Sequence, residues 1–238
     1  MPEPAELRRG AQESSSAESP QAAADPYAEL RHEMVEKQIR RRGIADPRVL
    51  SAMERVPRHE FVPDVHRARA YEDSPLPIGE GQTISQPYIV AAMTAALHLT
   101  GPERVLEVGA GSGYQAAILS LLAAEVYTIE RSAPLAHSAS ERVARLGYPN
   151  VHVHCGDGTL GLPEFAPFDA ILVGASAPAI PAPLAAQLAQ GGRMIIPIGD
   201  TDSQELRLLE RIGEGFEIRT LDPCRFVPLV GRYGWRES

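Results

Sequence analysis

From residue 104 onward, short apolar runs alternate with segments of helical periodicity. The runs fall near 104–108, 125–129, 150–154, 169–174 and 193–198, and each is short enough for a buried strand. Helical spacing fills most of the intervals, near 113–123, 132–146 and 181–190. This alternation predicts a parallel sheet with helices on both faces. Two further strands, Leu206 to Leu209 and Phe216 to Leu221, are joined through Gly213-Glu214-Gly215, the signal of a closing hairpin. The predicted fold is α/β: a Rossmann-like, doubly wound sheet of about seven strands ending in an antiparallel hairpin.

Upstream, Leu30, Met34, Val35 and Ile39 share one face of a predicted helix over 27–42. Asp46-Pro47 reads as an N-cap followed by proline in the first turn of a short helix that ends before Pro57. Residues 71–86 read as a polar, Gly- and Pro-rich loop, and Pro87 to Leu99 as an apolar helix. Residues 1–25 are rich in Ala, Ser, Glu, Gln and Pro, and nearly lack large apolar groups. The expectation there is a disordered tail, leaving one domain over 26–238.

Composition narrows the function classes. The formal net charge of −8 disfavours a nucleic-acid-coating surface. Two cysteines, Cys155 and Cys224, make no disulfide framework, and no apolar run is long enough to span a membrane. A cytoplasmic protein is expected. His152, His154, Cys155 and Asp157 lack a second cluster to complete a metal ligand set, so no metal is expected.

The chemistry concentrates in Glu107-Val108-Gly109-Ala110-Gly111-Ser112-Gly113-Tyr114, where a strand ends in an acid and three glycines alternate before a helix. Glycine lets backbone approach a ligand closely, and free N–H groups at the helix start are expected to face it. Glu130 ends the next strand, placed to accept from ribose hydroxyls, a feature shared by NAD and S-adenosylmethionine sites. The spacing is G-x-G-x-G rather than G-x-G-x-x-G, and Glu107 would repel a pyrophosphate while suiting a cationic sulfonium amino acid. Asp157-Gly158 follows the third strand, where the acid suits an adenine amino group and the glycine a close approach; a plain Asp-Gly turn is the alternative. After the fourth strand, the Asn/Asp-Pro-Pro-Tyr/Phe motif of base-amino methyltransferases is absent. Ser85 lies just before Pro87, and on physical grounds alone helix capping is its favoured role.

Gly81-Gln82-Thr83-Ile84-Ser85-Gln86-Pro87-Tyr88, the glycine turn, Gly156-Asp157-Gly158 and Arg225-Phe226-Val227-Pro228-Leu229 together closely resemble the protein-L-isoaspartate O-methyltransferase family over roughly residues 30–230. That resemblance implies methyl transfer from S-adenosylmethionine to the α-carboxylate of L-isoaspartyl residues in damaged proteins, by a monomer without membrane or nucleic-acid partners. It implies Ser85 as the active residue, orienting the carboxylate. It places Thr83, Ile84, Glu107, Gly109, Gly111, Ser112, Gly113, Glu130, Arg131, Asp157 and Gly158 at the cofactor. Gln86, Val227, Pro228 and Leu229 fall at the peptide. Competing classes are another methyltransferase on the same fold, an NAD-dependent dehydrogenase and a noncatalytic nucleoside-binding module.

Overall fold

The computed structural model describes residues 25–236. The tail expectation for residues 1–24 lies outside them; Asp25 is held by Arg31, whose Nη2 donates to Oδ2 at 2.7 Å. The chain opens with α1 (Ala28–Glu33), which runs into a wide π-helical turn, Met34–Ile39, and a 3-10 turn, Arg40–Arg42. Met34, Val35 and Ile39 are buried as predicted, whereas Leu30 is exposed. The widened turn re-phases the apolar face, so one continuous α period does not describe it. α2 (Pro47–Arg55) starts as predicted, with Asp46 accepting from the N–H groups of Arg48 and Val49.

The predicted loop over 71–86 contains a hairpin, β1 (Leu76–Gly79) paired antiparallel with β2 (Gln82–Ile84). Glu80 and Gly81 between them both have positive φ, 51° and 67°. Two positive φ values are what a tight two-residue hairpin turn demands; Asn-Gly and Asp-Gly advertise that turn more openly than Glu-Gly. α3 (Pro87–Ala96) follows directly.

β3 (Arg104–Val108), α4 (Tyr114–Ser120), β4 (Glu125–Glu130), α5 (Ala133–Arg145), β5 (Val151–Cys155), β6 (Phe168–Val173), α6 (Ala182–Ala186), β7 (Leu188–Gly199), β8 (Gln204–Ile212) and β9 (Gly215–Cys224) complete the chain. The main sheet has the order β5-β4-β3-β6-β7-β8-β9. β3 to β7 are parallel, and β8 and β9 run antiparallel. The expected seven strands and closing hairpin are therefore present. The helix expected over 181–190 is only five residues long, because β7 begins at Leu188, which pairs with Phe168.

Side chains alternate across the sheet, as strand geometry requires. Val105, Val126, Ala170, Leu172 and Ile195 pack into one core with α2, α3 and α4. Leu106, Val108, Ile171, Val173, Met194 and Ile196 pack into a second on the other face. Strand order reverses between β3 and β6. A crevice at the carboxyl ends of these strands is the favoured ligand position in such a sheet.

Candidate active site

The glycine turn leaves β3 at this crevice. Gly113 stands at φ 86° and starts α4; a Cβ there would lie 3.2 Å from the Val143 side chain, so a larger residue is both strained and crowded. The three glycine amides are all engaged within the protein. Gly109 donates to Ile129 O at 2.8 Å, Gly113 to Ala110 O at 2.7 Å and Gly111 to Glu130 Oε2 at 2.9 Å. These amides serve the turn itself and Glu130, so any free donors for a ligand are the N–H groups of the first turn of α4 that follows. Such a turn is not a phosphate cradle, which disfavours the dinucleotide reading.

Glu130 is buried and fixed from two sides, Oε2 by Gly111 and Oε1 by Ser132 N at 2.9 Å. Each carboxylate oxygen keeps a lone pair, enough for the two hydroxyls of a ribose. Its cleft is bordered by Gly109, Gly111, Arg131, Gly158 and Leu229. Next to it lies a smaller hollow lined by Thr83, Ile84, Ser85, Glu107, Ser112 and Tyr114. A third cleft opens beyond Ser85, bordered by Arg42, Gln86, Tyr88, Arg225 and Val227. Thr83 and Gly174 border all three.

Glu107 sits on the α3–α4 face of the sheet, opposite Thr128 and Leu172 in register. It is 1 % exposed, and its Oε2 has no hydrogen-bond partner. Burial pushes its pKa up to about 8; the nearby Thr128 hydroxyl opposes the rise and the Glu130 charge adds to it. A buried, unpartnered carboxyl at a hollow fits a cationic ligand group, which would restore the ionised form. The residues present therefore fit S-adenosylmethionine: Glu107 for its cationic amino-acid end and Glu130 for its ribose.

Asp157 departs from the expected geometry. Its Oδ1 accepts from Thr159 N at 2.9 Å and Thr159 Oγ1 at 2.7 Å, and its Oδ2 from Arg232 N at 2.8 Å. Burial acts to raise its pKa, but these donors outweigh it and hold the carboxyl below its ordinary value. The carboxylate thus caps a 3-10 turn and anchors the C-terminal segment. Only its remaining lone-pair capacity is left for any further donor. Gly158 lies beside Val108, whose Cγ1 would be 2.6 Å from an added Cβ. Packing on the sheet, as well as ligand approach, requires glycine there.

Ser85 does not cap α3. The N-cap is Gln86, with no side-chain cap bond, and the Ser85 carbonyl accepts from Arg58 Nη2 at 2.8 Å. Gln86 reaches back instead, its Nε2 donating to Asp73 O at 3.2 Å. Val227 borders both the Glu130 cleft and the cleft beyond Ser85, whereas Pro228 and Leu229 border the Glu130 cleft, and Leu229 is buried. Of the three, only Val227 borders the cleft beyond Ser85. The segment is held at the end of β6, where Ser176 N donates to Val227 O and Leu229 N to Ser176 O.

Sequence reasoning missed Gly174, Phe226, Arg42 and Arg58. Gly174 follows β6 directly, and a glycine at a strand's carboxyl end was its available signal. Arg42 and Arg58 carry no local signal, because their roles depend on segments distant in sequence.

A sequence model of the family "Protein-L-isoaspartate(D-aspartate) O-methyltransferase (PCMT)" matches residues 29–234. A protein-L-isoaspartate O-methyltransferase of Roseiflexus castenholzii is 56% identical over 209 residues, covering 88% of this chain and 95% of its own. One from Syntrophobacter fumaroxidans is 54% identical over 209 residues, covering 88% and 98%. A solved protein-L-isoaspartate O-methyltransferase superposes with TM-score 0.79 at 31% identity, over 86% of this chain and 67% of that one. A Plasmodium falciparum structure assigned to the same activity, in complex with S-adenosyl-L-homocysteine, gives TM-score 0.73 at 28% identity, over 84% and 98%. With the match spanning nearly all the described residues, this chain belongs to the protein-L-isoaspartate O-methyltransferase family.

Proposed function

We propose that this protein transfers the methyl group of S-adenosylmethionine to the free α-carboxylate of L-isoaspartyl residues in damaged proteins. The observation that carries this reading is the meeting of two clefts at Thr83, Gly174 and Val227, with Ser85 on the border of the second. The Glu130 cleft has acceptors for a nucleoside, and the cleft beyond Ser85 opens to the surface with Arg225 at its border. Bound in the first cleft, S-adenosylmethionine supplies an electrophilic methyl group on its sulfonium.

The protein's own contribution is alignment. The acceptor carboxylate is ionised at neutral pH and needs no general base. Of the groups lining the hollow between the clefts, Glu107 is the acid, and its role is toward the cofactor. Ser85 orients the acceptor carboxylate, Thr83 and Ile84 wall the path between donor and acceptor, and closure of the hollow excludes water. Methyl esterification gives the damaged residue a better leaving group, so a succinimide re-forms and opens in part to normal aspartate. The reaction thereby initiates repair.

No described helix is long and apolar enough to cross a membrane. Two free thiols and a net charge of −8 support a reducing cytoplasm and a role without nucleic acid. The residues assigned above all belong to one chain, so this reading needs no second copy. The test is methyl transfer to two synthetic peptides that differ only in isoaspartate or aspartate at one position. Base-labile methylation of the isoaspartyl peptide alone is expected; transfer to neither, or equally to both, would overturn the proposal.

A further inference from the structure

Arg58 is fully buried, at 0 % exposure. Its Nε donates to Ala70 O at 2.7 Å and its Nη2 to Ser85 O at 2.8 Å. The guanidinium lies 4.9 Å from the centroid of the Tyr114 ring, and Tyr114 is the first residue of α4, directly after Gly113. Nη1 has no hydrogen-bond partner. Asp73, whose charge reaches Arg58, is already paired with Arg42 at 3.0 Å. A buried cation without its own carboxylate is costly, and a neutral side chain would fill the same space more cheaply.

What the guanidinium provides is a rigid planar fork with donors in fixed directions. One donor holds the end of the 64–70 segment, and the second holds the Ser85 carbonyl. The face rests on the residue that leaves the glycine turn. The α3 ladder starts at Gln86 O, which accepts from Val90 N, so the helix itself does not orient the Ser85 carbonyl. Fixing that carbonyl fixes the Ser85–Gln86 peptide plane, and with it the direction in which the Ser85 side chain leaves the backbone.

We propose that Arg58 is a positioning residue for methyl transfer, setting the Ser85 peptide relative to the Gly109–Gly113 turn and so the alignment of acceptor with donor. This rests on the function proposed above. Arg58 acts through Ser85 and touches neither substrate.

The experiment compares Arg58→Met and Arg58→Lys with the unmutated protein. Calorimetry with S-adenosylhomocysteine counts the binding-competent fraction, and steady-state rates on the isoaspartyl peptide are divided by it. Expected are a cofactor-product Kd and a peptide KM within about threefold of the parent, with kcat per competent site lower by about 100-fold in Arg58→Met. Arg58→Lys keeps the charge and one donor, and is expected to recover about tenfold of that loss. Unchanged kcat per competent site in both variants, whatever their melting temperatures, would make Arg58 merely structural and overturn the proposal. A raised KM at constant kcat would also overturn it, as would failure of both variants to bind S-adenosylhomocysteine. Failure of the parent to methylate the isoaspartyl peptide would instead overturn the function itself.

Discussion

The two sides of the site are built by different means. On the cofactor side, β3, β4 and β6 deliver Gly109, Glu130 and Gly174 in adjacent parallel register, and Gly174 N bonds Val108 O at 2.8 Å. Glu130 there is held by two backbone N–H groups, those of Gly111 and Ser132. On the acceptor side, two segments from outside the parallel strands converge, 76–86 and 222–229. Beyond the β1–β2 pairing and two backbone bonds to Ser176, they are held by individual side chains: Arg58 on Ser85 O, Gln86 on Asp73 O, and Gln204, whose Oε1 accepts from Phe226 N at 2.7 Å. The sheet makes the donor half rigid through many shared bonds. The acceptor half has fewer shared bonds and leans more on single side-chain contacts, so mutations there are expected to reach rate before they reach affinity.

The largest expected effect that separates the halves is at Glu130. Glu130→Ala removes the acceptors of Gly111 N and Ser132 N as well as the proposed ribose partners. A charged hydrogen-bonding group contributes roughly 1.5–3 kcal/mol, so S-adenosylhomocysteine affinity is expected to fall about 100-fold. Titration calorimetry on the folded variant checks this; an unchanged Kd would detach Glu130 from the cofactor.

Glu107 sharpens the same half through pH. Its folded pKa is raised to about 8 from 4.5, so between these values the folded state holds a proton that the unfolded chain has lost. The stability contribution is fully present below about pH 4.5 and is lost as pH rises through 8. Glu107→Gln is therefore expected to match the parent's stability near pH 5 and exceed it at pH 8, without cofactor. Affinity for S-adenosylmethionine moves the other way, rising about tenfold from pH 6 to pH 7 in the parent as ionised Glu107 becomes available. That slope is expected to flatten in the variant. Melting curves and titrations across this range measure both, and identical pH slopes in the two proteins would remove Glu107 from cofactor binding.

The smallest effect concerns the C-terminal segment that Asp157 anchors. Trp235 Nε1 donates to Ser176 O at 3.0 Å, beside the bonds that hold Val227 and Leu229. Trp235→Phe is expected to cost about 1 kcal/mol of stability, with affinity and rate nearly unchanged. Chemical denaturation checks the first, and a large loss of rate would show that this segment reaches the acceptor side after all.

The same contrast explains what the sequence discloses. Glu107, the alternating glycines and Glu130 are readable because strand ends, turns and acids fall at short, regular spacings, and the alternation of strands and helices yields the seven-stranded sheet. Ser85 is readable only through its resemblance to a family, since local physics favours a cap that the structure does not make. Glu80-Gly81 hides a hairpin behind an uncommon turn pair. Asp157 is visible as an acid at a strand end with Thr159 in the same turn, but Arg232, which also occupies it, lies on a segment that spacing does not bring there. Arg58 is silent for the same reason: Ala70, Ser85 and Tyr114 become its neighbours only in three dimensions.

The division into a donor half that sets affinity and an acceptor half that sets rate is tested most directly at Ser85. The measurement is single-turnover methyl transfer to an isoaspartyl peptide by Ser85→Ala, with S-adenosylhomocysteine affinity determined on the same sample. The expected result is a rate constant lower by about 10- to 100-fold, with Kd within about twofold of the parent. A parental rate constant, or an affinity that falls in step with the rate, would contradict it.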